Sequence, residues 1–561
     1  MLKKIFNHQT NSIAFSGIIL AGFALFNGFL ALFRDRLLAS RFGAGQSLDI
    51  YFAAFRLPDF IYGILIAGGV ISVFLPVFSE YYGRKKEEGW YFTNVVLNCF
   101  LFLLVFLCLL SLIFTPFVIR FIVPGFNESN KALAVSLTRI MLLSPLFFVI
   151  SSIFSGILHY FNRFLIYSVA PILYNLGIIA GILFFVPLFG LRGLAYGVAL
   201  GAFLHLAIQI PAAILSGFKY KFILDFKFPG LKKILKLTIP RTIGSAADDL
   251  NLFIITAVAS MLVAGSISVF NFSNNLQRFP ITLIGLSFAT AIFPTLTKSW
   301  ASGQRKEFLE KFFSIFRQTI FIATPISFLT FLLRAQVIRL ILGTGQFGWL
   351  ETRLTAASLG VFSFGLSVFC LIPIIARAFF SLQDTKTPVI IGILSIILNV
   401  VLCFSLVWLL GFPNMVSNFV VDFLKLSGIK NIQVIALPLA LFLSGSFNFY
   451  LLLIYFFRKI AKIDPSIIPI LKSEIKELAE SSIKIFIASG LMTLFSYVVL
   501  RVVGYSVNMY SFWGVFFQAV SALILGISLY VLTAYVLKSP ELRRIRTLFL
   551  NSGQNGKRTN P

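Results

Sequence analysis

The chain has little charge, and this shortage excludes most classes of soluble protein. Only 12% of its 561 residues are charged, whereas 58% are hydrophobic and the mean hydropathy is +0.94. A soluble domain carries about 25% charged residues, and surface-to-volume scaling prevents a soluble fold from burying this much apolar surface. The composition therefore predicts an all-α polytopic membrane protein.

Cysteine and histidine are also scarce, which argues against metal sites and disulfides. The four cysteines lie inside apolar runs without a CxxC pair, where thiols behave as small hydrophobic groups. The three histidines are scattered and lack metal-ligand spacing. We expect neither a disulfide framework nor a bound metal. The cysteines are Cys99, Cys108, Cys370 and Cys403.

Recognisable catalytic motifs are missing as well. We find no P-loop, Rossmann fingerprint, HExxH or GxSxG in a suitable setting. We therefore expect no enzyme, and any active transport must draw on an ion gradient or the membrane potential. The net charge of +27 sits in short loops between apolar runs, a pattern typical of membrane topology signals. We expect no nucleic-acid partner.

Apolar runs of about 20 residues, the length that crosses a bilayer, recur along the whole chain. The first follows Lys3 and Lys4 and is long enough to be a span rather than a signal peptide. We predict fourteen spans. They lie near 12–33, 54–79, 92–119, 133–158, 164–187, 190–215, 238–263, 267–296, 313–333, 354–380, 387–410, 433–457, 480–500 and 511–536.

Lysine and arginine are distributed unequally between the two sides of these spans. With the N-terminus inside, the inner segments carry about 29 of them and the outer loops about 12, as the positive-inside rule requires. The even span count then puts both termini in the cytoplasm. We predict a multi-pass protein of a bacterial cytoplasmic membrane.

Motifs recur at an offset of about 220 residues, or six spans, which predicts parallel repeats. Phe55-Arg56-Leu57-Pro58 is echoed by Gln277-Arg278-Phe279-Pro280, and Asn162 with Asn175 by Gln383 with Asn399. The predicted lobes are 1–218 (spans 1–6) and 219–460 (spans 7–12). Two extra helices follow in 461–540, and a basic cytoplasmic tail in 541–561.

Charged residues within the first two spans are candidates for a cavity. A charge at the bilayer centre costs about 2.5–3.5 kcal/mol on insertion scales, so it should face a cavity or a partner. Arg34 and Asp35 close span 1, Asp49 follows, and Arg56 lies in span 2. Interfacial snorkelling is the alternative for Arg34, and it suits Arg56 less well.

Span 7 contains two adjacent carboxylates, Asp248 and Asp249. Successive helical residues point about 100° apart, so at most one can face a given neighbour. Either one is protonated, or one binds a cation while the other pairs with Arg241 or Arg278. The alternative is that both lie in water at a helix start.

Span 8 opens with a polar face that includes Asn274, Asn275 and Arg278. Such a face is too costly against lipid. We predict that it lines water.

Together these residues resemble the MurJ (MviN) family of lipid II flippases, within the multidrug/oligosaccharidyl-lipid/polysaccharide exporter superfamily. The matching motifs spread over spans 1–11. They are Arg34-Asp35, Arg41-Phe42-Gly43-Ala44-Gly45, Asp49, Phe55-Arg56-Leu57-Pro58, Phe74-Leu75-Pro76-Val77, Pro124-Gly125-Phe126, Asn162-Arg163-Phe164, Phe279-Pro280, Pro294, Lys298-Ser299 and Gln383-Asp384-Thr385-Lys386-Thr387-Pro388.

The resemblance implies a V-shaped rocker-switch transporter for peptidoglycan synthesis. Its cationic cavity would hold the pyrophosphate and sugar-pentapeptide head group of the substrate, and spans 13 and 14 would form a groove for the polyprenyl tail. Arg34 and Asp35 fall on a pair that the family uses. Three other cavity arginines of the family would fall at Gly28, Tyr62 and Asn275. Arg278 or Arg56 could supply the displaced charge.

The sodium site of some family members would use Asp248 or Asp249 with Asn399. Cys403 stands where that site would need a second acid, so we favour membrane potential or protons over sodium.

We predict a flippase that moves a lipid-linked peptidoglycan precursor between leaflets by alternating access. Its partners would be the precursor and membrane lipids, and we expect a monomer. A polysaccharide-repeat flippase of the same superfamily is the first alternative, with a drug/cation antiporter below it. A non-transporting scaffold for cell-wall enzymes is a further alternative, although it would not need charged groups inside spans 1, 2, 7 and 8.

Overall fold

Apolar runs of this length can satisfy their backbone hydrogen bonds in lipid by forming helices, and the structure is helical throughout. It is a computed structural model that describes residues 13–64, 70–429 and 431–542. Within those ranges all regular structure is helical and there is no β-strand. The predicted fold class, an all-α polytopic membrane protein, is confirmed.

The helices are numbered here along the described chain. They are α1 Ile13–Phe42, α2 Gln46–Ala54, α3 Arg56–Tyr62, α4 Val70–Arg84, α5 Lys86–Ile122, α6 Glu128–Met141, α7 Leu143–Tyr160, α8 Phe164–Ala180, α9 Val186–Phe189, α10 Arg192–Ala207, α11 Gln209–Leu215, α12 Pro229–Ser260, α13 Ser266–Pro280, α14 Ser287–Ala301, α15 Arg305–Ile341, α16 Trp349–Ser381, α17 Lys386–Leu409, α18 Met415–Leu424, α19 Ala436–Ile463, α20 Ile468–Ser506 and α21 Phe512–Val536.

Eleven segments of the described residues are helical, long and apolar enough to cross a membrane. Each coincides with one of the predicted spans 3–6 or 8–14. Predicted spans 1, 2 and 7 fall on α1, on α3 with α4, and on α12, which are helical where the structure describes them. The chain is therefore a multi-pass membrane protein, and the total of fourteen spans stays a prediction.

The six-span repeat has local counterparts in the backbone. Asn162 and Gln383, equivalent in the repeat, both adopt the left-handed conformation, with φ of 55° and 58°. The Arg-x-Pro motifs are followed in each half by π-helical backbone, at residues 63 and 64 and at Ile281–Leu286. Such π segments often mark functional sites within helices. These shared features support the repeat.

The chain divides into two compact units. The first extends to Ser268 and includes Thr344–Gly348, and the second holds Val269–Gly343 and the chain from Trp349. In the first unit α12 packs against α3, α4 and α5. The predicted lobe boundary at 218/219 comes from the repeat rather than from packing, and it stays a prediction.

In the second unit, spans 13 and 14 (α20 and α21) pack against each other and against α15. Arg317 of α15 is buried and donates hydrogen bonds to Glu474 at 2.8 Å and Glu477 at 3.2 Å on α20. Leaving one member of a buried ion pair alone is costly, so these bonds fix α20 to α15. The tail groove implied by the resemblance remains a proposal.

Candidate functional site

The residues predicted for a cavity in span 1 form a hydrogen-bonded cluster in the first unit. Arg34 donates from Nε at 3.0 Å and from Nη2 at 2.7 Å to Oδ1 of Asp35. Its Nη1 donates at 2.9 Å to Oδ1 of Asn175 on α8. The Arg34 side chain is 20% exposed and that of Asp35 is 5% exposed. The guanidinium is thus oriented by two partners, on a side chain that remains partly exposed.

A third partner extends this cluster. The amide nitrogen of Asn175 donates at 2.9 Å to Oδ1 of Asn27 on α1. Asn27 and Arg34 are seven residues apart, about two helical turns, so both point to the same side of α1. We call Asn27, Arg34, Asp35 and Asn175 the Arg34 cluster.

The roles of Asn27 and Asn175 in this cluster were not predicted. The repeat singled out Asn175, but only as the counterpart of Asn399. For Asn27, the seven-residue spacing from Arg34 could have indicated its place in the cluster.

Arg56 lies deeper than Arg34. It is 7% exposed, and its Nε donates at 2.7 Å to the Thr256 hydroxyl on α12. Phe60 on α3 packs edge-on against Phe253 on α12, so two contacts join these helices. This burial favours a role for Arg56 in holding α3 to α12, and its predicted role in substrate binding remains a proposal.

Asp49 is buried and binds the start of α13. Its Oδ2 accepts from the Gly265 N–H at 2.6 Å, and its Oδ1 accepts from the N–H and hydroxyl of Ser268 at 2.8 and 2.7 Å. These are donors at a helix N-terminus, where a carboxylate is favourable. Gly265 has φ of 96°, and a Cβ there would lie 2.0 Å from the Ala44 carbonyl oxygen. Both carboxylate oxygens therefore serve structure.

Asp248 and Asp249, the carboxylates of span 7, have different surroundings. Asp248 is exposed and Asp249 is half-buried. A Cβ built on Gly63 would lie only 1.9 Å from Oδ2 of Asp249, so this carboxylate occupies the space beside a residue without a side chain. The side chain of Arg241, one predicted partner, lies outside the described residues. Asp249 is packed on the π-helical residues of span 2, whereas the side chain of Asp248 is exposed.

The polar face of span 8 belongs to the second unit. Asn274 and Asn275 are half-buried and Arg278 is exposed. Gln277, between them on the helix, is 4% exposed. That this face lines water remains a proposal.

Asn399, on α17 of the second unit, is completely buried. Its Oδ1 accepts from the Ser444 hydroxyl at 3.4 Å, and the Cys403 thiol lies 3.9 Å from the same oxygen. A hard cation prefers oxygen ligands, and this neighbourhood offers sulfur instead of a second acid. Among the described residues, no group of three or more His, Cys, Asp or Glu side chains could hold a metal ion. Cys403 therefore stands beside Asn399 where the implied sodium site would need a second acid, and the sodium site stays a prediction.

Known proteins resemble this chain in sequence and in fold. A family model described as "Lipid II flippase MurJ" matches residues 38–523. The chain belongs to the lipid II flippase MurJ family. This membership agrees with the prediction of a transporter rather than an enzyme.

Individual relatives give the same result. The chain is 32% identical over 391 residues to a probable lipid II flippase MurJ of Buchnera aphidicola subsp. Schizaphis graminum, which covers 67% of this chain and 74% of the relative.

Solved structures extend the likeness to the fold. A structure of lipid II flippase MurJ in an inward closed conformation has 24% identity and a TM-score of 0.71, with 92% of this chain and 98% of that chain covered. An inward-facing multidrug resistance MATE family transporter of the MOP superfamily has 15% identity and a TM-score of 0.63, with 78% and 96% covered.

This MurJ family member has Tyr62 and Gly28 at two positions where the resemblance implies arginine. Tyr62 is half-buried and stacks edge-on against Phe148, and Gly28 adjoins Asn27 of the Arg34 cluster. Arg34 combines two fixed partners with a side chain that is 20% exposed.

Proposed function

We propose that the protein translocates lipid II, the lipid-linked peptidoglycan precursor, from the inner to the outer leaflet of a bacterial cytoplasmic membrane by alternating access. Membership of the MurJ family supports the substrate. The MATE-type fold neighbour supports the mechanism, because a MATE transporter has been solved in an inward-facing conformation.

The observation that carries this proposal is the Arg34 cluster. Lipid II has a pyrophosphate between its sugar and its polyprenyl chain, and a guanidinium matches phosphate oxygens in a bidentate way. Arg34 has five N–H groups, and its three hydrogen bonds to Asp35 and Asn175 engage one on each nitrogen. Both Nη1 and Nη2 keep a second N–H with which to bind an anion.

The partners of Arg34 also explain why a charge can stay in span 1. Asp35 balances the charge of the guanidinium, and Asn175 holds its plane, so the cost of an isolated charge in a membrane is reduced. Asn274, Asn275 and Arg278 of span 8 belong to the second unit, and we propose them as substrate-contacting residues of that unit.

Energy coupling is proposed to act through Asp248 rather than through sodium. Cys403 stands beside Asn399 in place of a second acid, and Asp248 is exposed. The charge of a carboxylate within a membrane span responds to the membrane potential. The proposed driver is therefore a proton gradient or the membrane potential.

Both termini are proposed to be cytoplasmic, from the positive-inside rule. Cysteines introduced at Lys227 and Asn418 should then react from opposite sides with an impermeant thiol reagent. Labelling of both from the same side of the membrane would contradict this orientation.

The experiment that tests the function is complementation. Expression of this chain should restore growth to a bacterium depleted of its own lipid II flippase, and Arg34→Ala at equal membrane abundance should not. A wild-type chain that inserts but fails to restore growth would contradict the proposal. Rescue of a strain that lacks a polysaccharide-repeat flippase instead would favour that alternative substrate.

A further inference from the structure

The connection between predicted spans 6 and 7 has a regular arrangement that the transport mechanism does not use. Residues 218–228, called the strap here, lie along α5 in the first unit without helical structure. Phe218 is buried at one end, against Trp90 and Phe154. Phe228 stacks on Tyr81 at the other end. The strap is thus fixed to the unit at both ends.

Two buried asparagines of α5 bind the backbone of the strap. Asn94 donates to the carbonyl oxygen of Lys219 at 3.0 Å and accepts from the N–H of Lys221 at 2.8 Å. Asn98 donates to the carbonyl oxygens of Lys221 at 2.8 Å and Ile223 at 3.3 Å. Asn94 is 1% exposed and Asn98 is 3% exposed. Each side-chain amide therefore acts as the edge of a neighbouring strand would.

The spacing of the two asparagines explains this fit. Residues four apart on a helix rise by about 6 Å, and two residues of an extended chain advance by about 6.6 Å. Asn94 and Asn98 can therefore bind successive residue pairs of an extended backbone. One further turn along α5, Phe102 contacts Phe226 with ring centroids 6.0 Å apart.

Because the backbone of the strap faces α5, its side chains project to the sides. Those of Tyr220, Phe222, Leu224 and Phe226 are 59%, 73%, 39% and 57% exposed. Lysines are interleaved with them and are also exposed, at Lys219, Lys221 and Lys227.

The single acid of the strap is already engaged. Asp225 accepts hydrogen bonds from the Tyr91 hydroxyl and the Lys227 N–H. The strap therefore presents aromatic side chains beside a local excess of positive charge.

We propose that the strap is a binding site for the headgroups of anionic phospholipids. Lys219 and Lys221 would contact the phosphates, while Phe222 enters the interfacial layer, where aromatic rings are favoured. The Tyr220 hydroxyl instead donates to Oδ1 of Asn98 at 3.0 Å, which adds a side-chain contact between the strap and α5. Each lysine close to an anionic membrane surface adds attraction, and salt screens it. The site follows from the strap alone and does not depend on the proposed transport function.

The occupant is a phospholipid surface because the apolar and basic side chains occur on one continuous segment between two membrane spans. A soluble acidic partner would match the lysines but would leave the apolar side chains of the strap exposed. Lipid II also has phosphate groups, so the test uses bilayers without lipid II.

The test measures how well the bilayer shields the strap. Phe222→Cys is introduced after replacement of the four native cysteines by alanine, and a fluorophore that dithionite reduces is attached at this position. The protein is then reconstituted in nanodiscs of phosphatidylcholine, with or without phosphatidylglycerol. Reduction should be at least about fivefold slower with phosphatidylglycerol, given the attraction of two lysines, and high salt should remove the difference.

Two double variants are compared in this assay. Lys219→Gln with Lys221→Gln should lose the effect of phosphatidylglycerol. Lys306→Gln with Lys311→Gln removes the same charge from lysines that pair with Glu310 and Glu307, and it should keep the effect. Equal reduction rates in both lipids, or the same loss in both double variants, would overturn the proposal.

The asparagines provide a further check. Asn94→Ala with Asn98→Ala should speed up reduction in the presence of phosphatidylglycerol, because the strap is no longer held extended. An unchanged rate would overturn the claim that the asparagine pair presents the lysines to the lipid.

Discussion

The predicted repeat pairs Asn175 with Asn399, yet the surroundings of these two residues differ. Asn175 bonds to Arg34 and Asn27, so it belongs to a cluster that contains a partly exposed cation. Asn399 is completely buried beside Ser444 and Cys403, with no charged group among these contacts. Two positions that the predicted repeat pairs can therefore have different partners, here the guanidinium of a proposed anion site and a serine hydroxyl between two helices.

Two acidic residues of the predicted site, Asp35 and Asp49, also differ in their contacts. Asp35 is bonded to a partly exposed cation, whereas Asp49 uses both oxygens on backbone and hydroxyl donors. The sequence alone placed both in one predicted site. Their partners indicate that Asp35 tunes the charge of the site and that Asp49 fixes the start of α13.

The largest difference between the two halves is expected when Asn175 and Asn399 are each replaced. Asn175→Ala should reduce lipid II flipping about tenfold, since a hydrogen bond to a charged group is worth about 1.5–3 kcal/mol. Asn399→Ala should reduce it less than about threefold, because the hydrogen bond that Asn399 accepts from Ser444 is neutral and long. Flipping rates of both variants in reconstituted vesicles provide the measurement. Equal losses would break the asymmetry between the halves.

A smaller effect is expected from the carboxylates of span 7. Asp248→Asn should slow flipping about fivefold if its charge responds to the driving force. Asp249→Asn should change the rate less than twofold, as amide and carboxylate fill nearly the same space beside Gly63. Replacing sodium by choline should leave wild type unaffected. A sodium response that Asp248→Asn abolishes would restore the sodium hypothesis, and normal flipping by both variants would make the pair a solvated helix segment.

The smallest effect concerns Asp384, which follows Gln383 of the repeat between α16 and α17. Its carboxylate bonds to the Lys459 ammonium at 2.5 Å and to the N–H and hydroxyl of Thr387. Burial raises the pKa of this carboxyl, but the bonds to Lys459 and Thr387 outweigh burial and keep its pKa below the ordinary value.

Asp384→Asn should therefore destabilise the protein by only about 1 kcal/mol at neutral pH, because solvent screens the partly exposed Lys459 and weakens the ion pair. Since the folded pKa is the lower one, this contribution is complete above the ordinary carboxyl pKa and is lost as pH falls through the folded pKa. Melting temperatures in detergent should differ by about 1–2 °C at neutral pH and converge in acid. A constant difference at all pH values would exclude the ion pair as its cause.

Much of the fold was predictable because lipid imposes strict limits on sequence. Continuous apolar runs such as 92–119 and 387–410 predicted α5 and α17, since a segment in lipid has to satisfy its own backbone. Spans 7 and 8 are less clear, because polar residues such as Asp248 with Asp249 and Asn275 with Arg278 interrupt their apolar pattern. The same residues drew attention to the candidate site.

The side-chain partners in the site could not be predicted, because they are distant in sequence. Asn175 is 141 residues from Arg34, and the Asp49 carboxylate binds Ser268, which is 219 residues away. Periodicity reports which face of a helix a residue occupies and does not report which helix packs against that face. Arg34 and Asp35 are neighbours in the sequence, whereas the contacts of Arg56 and Asp49 required the packed structure.

The central claim is that Arg34 binds the anionic head group of lipid II during translocation. Its most direct test is the flipping rate of purified Arg34→Ala in lipid II vesicles, beside wild type, Arg34→Lys and Asn399→Ala at equal protein content. Arg34→Ala should be slower than wild type by more than about 100-fold, and Arg34→Lys should recover only part of the rate, because an ammonium cannot make bidentate phosphate contacts. A rate for Arg34→Ala equal to that of wild type would contradict the account.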